Sequence, residues 1–253
     1  MKHPDQPQWL KLLDKLSAPI IGVGLDIINA QHTHDPDINV ASRCALLHFT
    51  QCLQTSMTTN EDGKHAVAIC LVRQCIETLT IIDVALQDYA YAEPLLNAWK
   101  HGKKTQGNLR SSLEHDVWAR YGKGLWDETW AEYFANLSKA VQPYAHYTHE
   151  LQGWQLAIIS TDYEQRTYFA IHGFDTYDEL KAARISLLHA LATWTLGRLL
   201  SANSKIQQIL ELAPDVDKLG RAIGSSFLLF KNKDWGQELL PDMLLAPGRH
   251  WWE

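Results

Sequence analysis

The sequence has few cysteines, and none of them has the spacing of a metal or disulfide framework. All four, Cys44, Cys52, Cys70 and Cys75, lie in apolar runs, and no two form a Cys-x-x-Cys pair. Free cysteine behaves as a small hydrophobic residue. We therefore expect buried, reduced thiols rather than a zinc site or a disulfide.

The chain also lacks an excess of positive charge and any long apolar run. Its formal net charge of −6 argues against a general binder of nucleic acid or anionic membranes, although a local basic pocket stays compatible with it. The apolar stretch 18–28 is too short to span a bilayer and contains Asp26, and no signal peptide opens the sequence. We expect a cytoplasmic protein without membrane contact.

Several catalytic signatures are absent as well. The sequence contains no His-Glu-x-x-His, no Glu-x-x-His and no Walker A loop, and Gly22-Val23-Gly24 lacks the third glycine of a dinucleotide loop. Zincin-type metalloproteases, ferritin-like di-iron proteins and common nucleotide-binding enzymes are therefore not indicated.

Helical periodicity dominates what is present. Apolar residues recur at steps of three and four through 64–87 and 39–57, which predicts two long amphipathic or buried helices. Turn and cap residues place the other predicted helices at 8–16, 94–100, 107–121, 128–141, 177–200 and 215–231.

One stretch interrupts this pattern, because the β-rich runs 154–160 and 166–172 flank a polar segment. A hairpin and two extended loop arms are both compatible with it. We predict an all-α fold, a single bundle of about seven or eight helices over residues 1–238, with a short β-hairpin near 154–172 as the open alternative. We expect residues 239–253 to form an irregular tail whose Trp251 and Trp252 dock either on the chain's own surface or on a second subunit of a homodimer.

An arginine followed five positions later by a histidine occurs three times in the sequence. The pairs are Arg43 with His48, Arg110 with His115, and Arg184 with His189. A histidine can act as a general base near neutral pH, and an arginine can stabilise negative charge on a phosphate. The alternative for each pair is a purely structural role, with the histidine in the core and the arginine on the surface.

The Arg-x(4–6)-His spacing on a late helix resembles the HEPN superfamily. The segments 71–77 and 133–138, with Trp99 and His146, resemble uncharacterised bacterial helical proteins related to that group. The resemblance covers about residues 40–200. It implies a dimeric, metal-independent RNase of a toxin or anti-phage system, with RNA as a partner and no cofactor.

By this analogy Arg184 and His189 are the first catalytic candidates, and Arg110 and His115 the second. Ser111 matches the polar residue that usually follows the family's arginine, whereas Ile185 follows Arg184. The competing hypothesis is a non-catalytic helical protein that binds a partner or a ligand.

Other charged residues allow further hypotheses. On a helix, His146, His149 and Glu150 share one face, which suits a divalent metal; on a loop they form ordinary hydrogen bonds. Arg73 and Glu77 have the spacing of an ion pair. The basic run 100–104 is either a solvated loop or a place to hold a phosphate backbone.

Overall fold

A computed structural model of the chain describes residues 8–31, 36–146, 151, 154–162, 167–172, 177–203 and 207–232. Within these residues it contains eight α-helices, two short 3₁₀ turns and one antiparallel pair of strands. This confirms the predicted all-α bundle, and the strand pair corresponds to the hairpin, one of the two alternatives that the sequence left open near 154–172. The tail 239–253 lies outside the described residues, so docking by Trp251 and Trp252 stays a prediction.

The elements follow each other in a simple order along the chain. The helices are α1 Gln8–Gln31, α2 Pro36–Glu61, α3 His65–Ala85, α4 Tyr89–Lys100, α5 Gln106–Asp116, α6 Trp130–Val141, α7 Glu179–Asn203 and α8 Gln207–Asn232. The 3₁₀ turns are Trp118–Tyr121 and Gln142–Ala145, and the strands are β1 Leu156–Asp162 and β2 Thr167–His172.

Helix α3 forms the centre of the bundle. It packs against α2, α4, α5, α6 and α7, and all of its residues from Thr78 to Ala85 are buried. A helix that is apolar on every side is stable only where other elements cover it completely. The predicted helix 64–87 therefore corresponds to the main core element.

Local capping set several helix ends that the sequence patterns misplaced. The helix predicted from 128 begins at Trp130, because Thr129 and Glu132 form a capping box there and Asp127 has a φ of +71°. The helix predicted from 94 begins five residues earlier, at Tyr89, where Asp88 caps it. The predicted helix 107–121 ends at Asp116 and continues as a 3₁₀ turn.

Small residues allow close approach where α7 crosses α8. A Cβ on Gly197 would lie 2.8 Å from a methyl group of Val216, so this glycine is required by packing.

Of the cysteines, Cys52 and Cys75 are buried as expected, whereas Cys44 is exposed on α2. None of the described helices combines the length and the apolar character that a membrane span needs.

Candidate functional site around the seventh helix

Arg184 and His189 both lie on α7 and are both buried, each with about 1% of its surface exposed. Positions five apart on an α-helix point about 140° away from each other. The hydrogen-bond partner of His189 Nε2 is Ser56. The helix therefore directs the two predicted catalytic side chains into different surroundings.

Arg184 lies near the start of α7 in a partly charged environment. Burial lowers the pKa of its guanidinium to about 10, and the negative charge of Asp178 acts in the opposite direction. Asp178 also caps α7, since the backbone N–H of Lys181 donates to its Oδ1 at 3.0 Å. Tyr144 also acts on the pKa of this arginine through its charge, in the same direction as Asp178. Arg184 is thus a buried cation near the capped start of α7.

His189 faces α2 instead. Its Nε2 lies 2.7 Å from Ser56 Oγ, and Ser56 Oγ lies 2.7 Å from the carbonyl oxygen of Ala68. A serine hydroxyl has a single proton; when that proton goes to the Ala68 carbonyl, His189 Nε2–H is the donor to Ser56. Burial lowers the pKa of His189 to about 3, so the ring is neutral at pH 7. The histidine bridges α7 to α2.

A second set of buried polar groups, the Asn60 network, joins the end of α2 to the start of α7. The backbone N–H of Asp178 donates to His65 Nε2 at 3.0 Å, and His65 Nδ1 donates to Asn60 Oδ1 at 2.9 Å. Asn60 Nδ2 then donates to the Ala182 carbonyl at 2.9 Å and to Ser186 Oγ at 3.2 Å. Burial lowers the pKa of His65 to about 4, which keeps this donor order at neutral pH.

His189 and the Asn60 network border a small cleft between α1, α2 and α7, here called the α7 cleft. Its volume is about 50 Å³. The polar residues that line it are Asp14, Asn60, Glu61, Tyr177, Ser186 and His189. Leu10, Leu13 and Met57 supply apolar wall. The cleft combines buried polar side chains with an opening to solvent, but it is far smaller than the roughly 300–1,000 Å³ of pockets for drug-sized ligands, so it has room only for a very small molecule.

The second predicted pair, Arg110 and His115, does not converge either. Arg110 is partly buried on α5, and its guanidinium carbon lies 5.3 Å from the centre of the Phe134 ring. The His115 side chain is 86% exposed, and its Nδ1 lies 2.6 Å from Asp116 Oδ1. The hydrogen bond to Asp116 raises the pKa of His115. The two side chains lie on opposite sides of α5, the arginine inward and the histidine in solvent.

The proposed metal ligands are only partly covered by the structure. His146 is exposed and has an extended backbone, which removes it from a continuous helical face. His149 and Glu150 lie outside the described residues. Among the residues that are described, no three His, Cys, Asp or Glu side chains are grouped so as to hold a metal ion. The metal hypothesis stays a prediction.

The charges of α3 form two separate arrangements. The predicted ion pair is confirmed, with Arg73 Nη2 at 2.6 Å from Glu77 Oε1. Asp83 lies apart from it, fully buried, and accepts hydrogen bonds from Trp118 Nε1 at 2.7 Å and from the Tyr121 hydroxyl at 2.6 Å. Burial raises the pKa of Asp83 to about 6 against the effect of these donors. The ion pair lies within α3, and Arg73 Nη1 also donates to the Gln142 carbonyl at 2.8 Å. Asp83 joins α3 to the 3₁₀ turn Trp118–Tyr121.

The sequence patterns missed Ser56, Asn60, His65 and Ser186. A signal for two of them was present, because Ser56 and Asn60 follow Phe49 and Cys52 on the buried stripe of α2 at helical spacing. Polar residues in the register of an apolar stripe require buried partners. The identity of those partners depended on which helix packs against the stripe.

Comparison of the chain with protein-family models, with curated proteins and with solved structures finds no match in any of the three. The resemblance to HEPN proteins therefore stays a prediction.

Proposed function

We propose that this chain is a non-catalytic, helical ligand-binding protein whose ligand occupies the α7 cleft. The observation that carries the proposal is the composition of the cleft floor, where His189, Asn60 and Ser186 are each less than 10% exposed yet border a solvent-accessible space. Polar groups that border an opening can form hydrogen bonds to a bound molecule with their remaining acceptor positions, so their position beneath the cleft favours a binding role. The separation of Arg184 from His189 favours binding over catalysis by that pair.

Equilibrium dialysis against a small-molecule cell extract, followed by mass spectrometry of the retained compounds, tests this proposal. Met57→Trp places a large side chain at the wall of the cleft. Leu47→Trp is the matched control, since Leu47 lies on the same helix and is 53% exposed. We expect the wild type and Leu47→Trp to retain a compound that Met57→Trp does not. Equal retention by all three proteins, or retention by none, would contradict a ligand in this cleft.

RNA cleavage is the second candidate function, and a different surface favours it. Lys103 and Lys104 line a shallow, open groove on α5 together with His115. The lysines supply positive charge for a phosphate backbone, and the raised pKa of the exposed His115 suits proton transfer near neutral pH. On this alternative, His115 is the better placed of the two candidate histidines.

Incubation of mixed cellular RNA with the purified protein in excess EDTA distinguishes the two functions. The binding proposal predicts no cleavage by the wild type. Cleavage that is lost in His115→Ala and kept in His189→Ala would support an RNase at the α5 groove. The reverse result would return Arg184 and His189 to the catalytic role.

A further inference from the structure

The floor of the α7 cleft offers hydrogen-bond acceptors and no spare donor. Both protons of Asn60 Nδ2 are used by Ala182 and Ser186, and the Ser186 hydroxyl donates to the Ala182 carbonyl at 2.8 Å. His189 is neutral, and in the tautomer that donates Nε2–H to Ser56 its Nδ1 is an acceptor. In the described part of the chain, Nδ1 has no hydrogen-bond partner. The hydrogen-bonding positions that remain free at the floor are therefore acceptor positions.

The rim of the cleft adds negative charge. The two carboxyl groups there belong to Asp14 on α1 and Glu61 at the end of α2. No lysine or arginine is among the described residues that line the cleft. The ring of Tyr177 lies at the same opening, and an aromatic face attracts cations.

We propose that the ligand of the α7 cleft is a small primary ammonium compound. The ammonium group donates to Ser186 and His189 at the floor and is neutralised by Asp14 and Glu61 at the rim. A short aliphatic part contacts Leu13 and Met57. A volume of about 50 Å³ holds roughly three or four water molecules, which limits the buried part of the ligand to a few non-hydrogen atoms. This inference rests on the proposed binding function and names its ligand class.

Ethylammonium chloride is the probe, titrated into the wild-type protein at pH 7 and followed by amide NMR shifts. Ethanol and sodium acetate are the neutral and anionic comparisons, with potassium chloride at matched ionic strength as the blank. A ligand of three non-hydrogen atoms reaches at best a roughly millimolar Kd, so saturation in the millimolar range is expected. The double variant Asp14→Asn/Glu61→Gln should weaken binding by about fivefold. Asp26→Asn, an exposed change on the same helix, should leave it unchanged.

The outcomes distinguish two proposals, that the ligand is an ammonium compound and that the α7 cleft binds a ligand at all. Equal binding of ethanol or acetate, or an unchanged Kd in the double variant, overturns the ammonium assignment. If ethylammonium does not bind while the dialysis experiment still finds a compound that depends on Met57, the ligand class fails and the cleft function stands. If both experiments find nothing, both proposals fail.

Discussion

Replacement of His189 by methionine should change how the stability of the protein depends on pH. The folded-state pKa of His189 is about 3, well below its ordinary value of 6.5, because the ring is fully buried. A histidine with a depressed pKa stabilises the fold above pH 6.5, and this contribution is lost as the pH falls. At pH 5, which is 1.5 units below the ordinary value, the loss amounts to about 2 kcal/mol.

His65 contributes in the same direction, since burial lowers its pKa to about 4. Together the two histidines remove about 4 kcal/mol between pH 7 and pH 5. Domains are typically stable by only about 5–15 kcal/mol, so this loss is a large share of the total, and Asp83 offsets part of it because its raised pKa acts in the opposite direction.

Methionine has a side chain of length similar to that of histidine, but it is apolar and cannot bind a proton. At pH 7 the variant should be less stable by about 1 kcal/mol, because the hydrogen bond to Ser56 is lost. At pH 5 the wild type has lost about 2 kcal/mol through this histidine, so the order of stability should reverse. Urea unfolding at pH 5, 6 and 7, followed by circular dichroism, measures both quantities.

Ser56→Ala is the matched control. It removes the same hydrogen bond but leaves the buried histidine, so its stability should fall with acid as steeply as that of the wild type. If His189→Met and the wild type lose the same free energy between pH 7 and pH 5, His189 is not a buried neutral histidine and the description of the cleft floor is wrong.

Further predictions concern the core. At pH 4, below the pKa of Asp83, Asp83→Asn should destabilise the protein by about 1–3 kcal/mol in urea unfolding, because an amide nitrogen replaces an oxygen that accepts from Trp118 or from Tyr121. Because burial raises the pKa of Asp83 to about 6, this carboxyl group should lower the free energy of unfolding by about 3 kcal/mol as the pH rises from about 4 to 6. The asparagine variant should lack this contribution. If the free energy of unfolding of the variant depends on pH as steeply as that of the wild type, the raised pKa is refuted. Gly197→Ala should lower the thermal midpoint through overpacking against Val216, at a cost of about 1–3 kcal/mol. Gly22→Ala, with nothing within 4 Å, should raise stability by up to about 1 kcal/mol, and a loss there would contradict its open helical position.

Helix positions were predictable wherever the periodic pattern was long. The predicted helix 64–87 corresponds closely to α3, and 39–57 lies within α2, since burial on a helix requires apolar residues at steps of three and four. The ends of the helices were less predictable than their positions. Pro94 suggested a helix start, yet it is the sixth residue of α4, whose N-terminus is set by the Asp88 cap.

The candidate site was predictable only in part. The sequence singled out Arg184 and His189, and both lie in the polar interior around α7, but their spacing did not reveal that one adjoins Asp178 and the other Ser56. Ser56 and His189 are 133 positions apart, and their contact exists because α2 packs against α7.

The sequence by itself determined the all-α class, the order of the helices and the stripe of α2 that carries Ser56 and Asn60 toward the interior. Periodicity and helix caps depend on residues a few positions apart, so they can be recognised in the sequence itself. Only the tertiary structure decided which polar residues share a cleft and which of them are neutral. Hydrogen-bond partners and pKa values depend on burial and on neighbours from distant helices, and these exist only after the helices have packed.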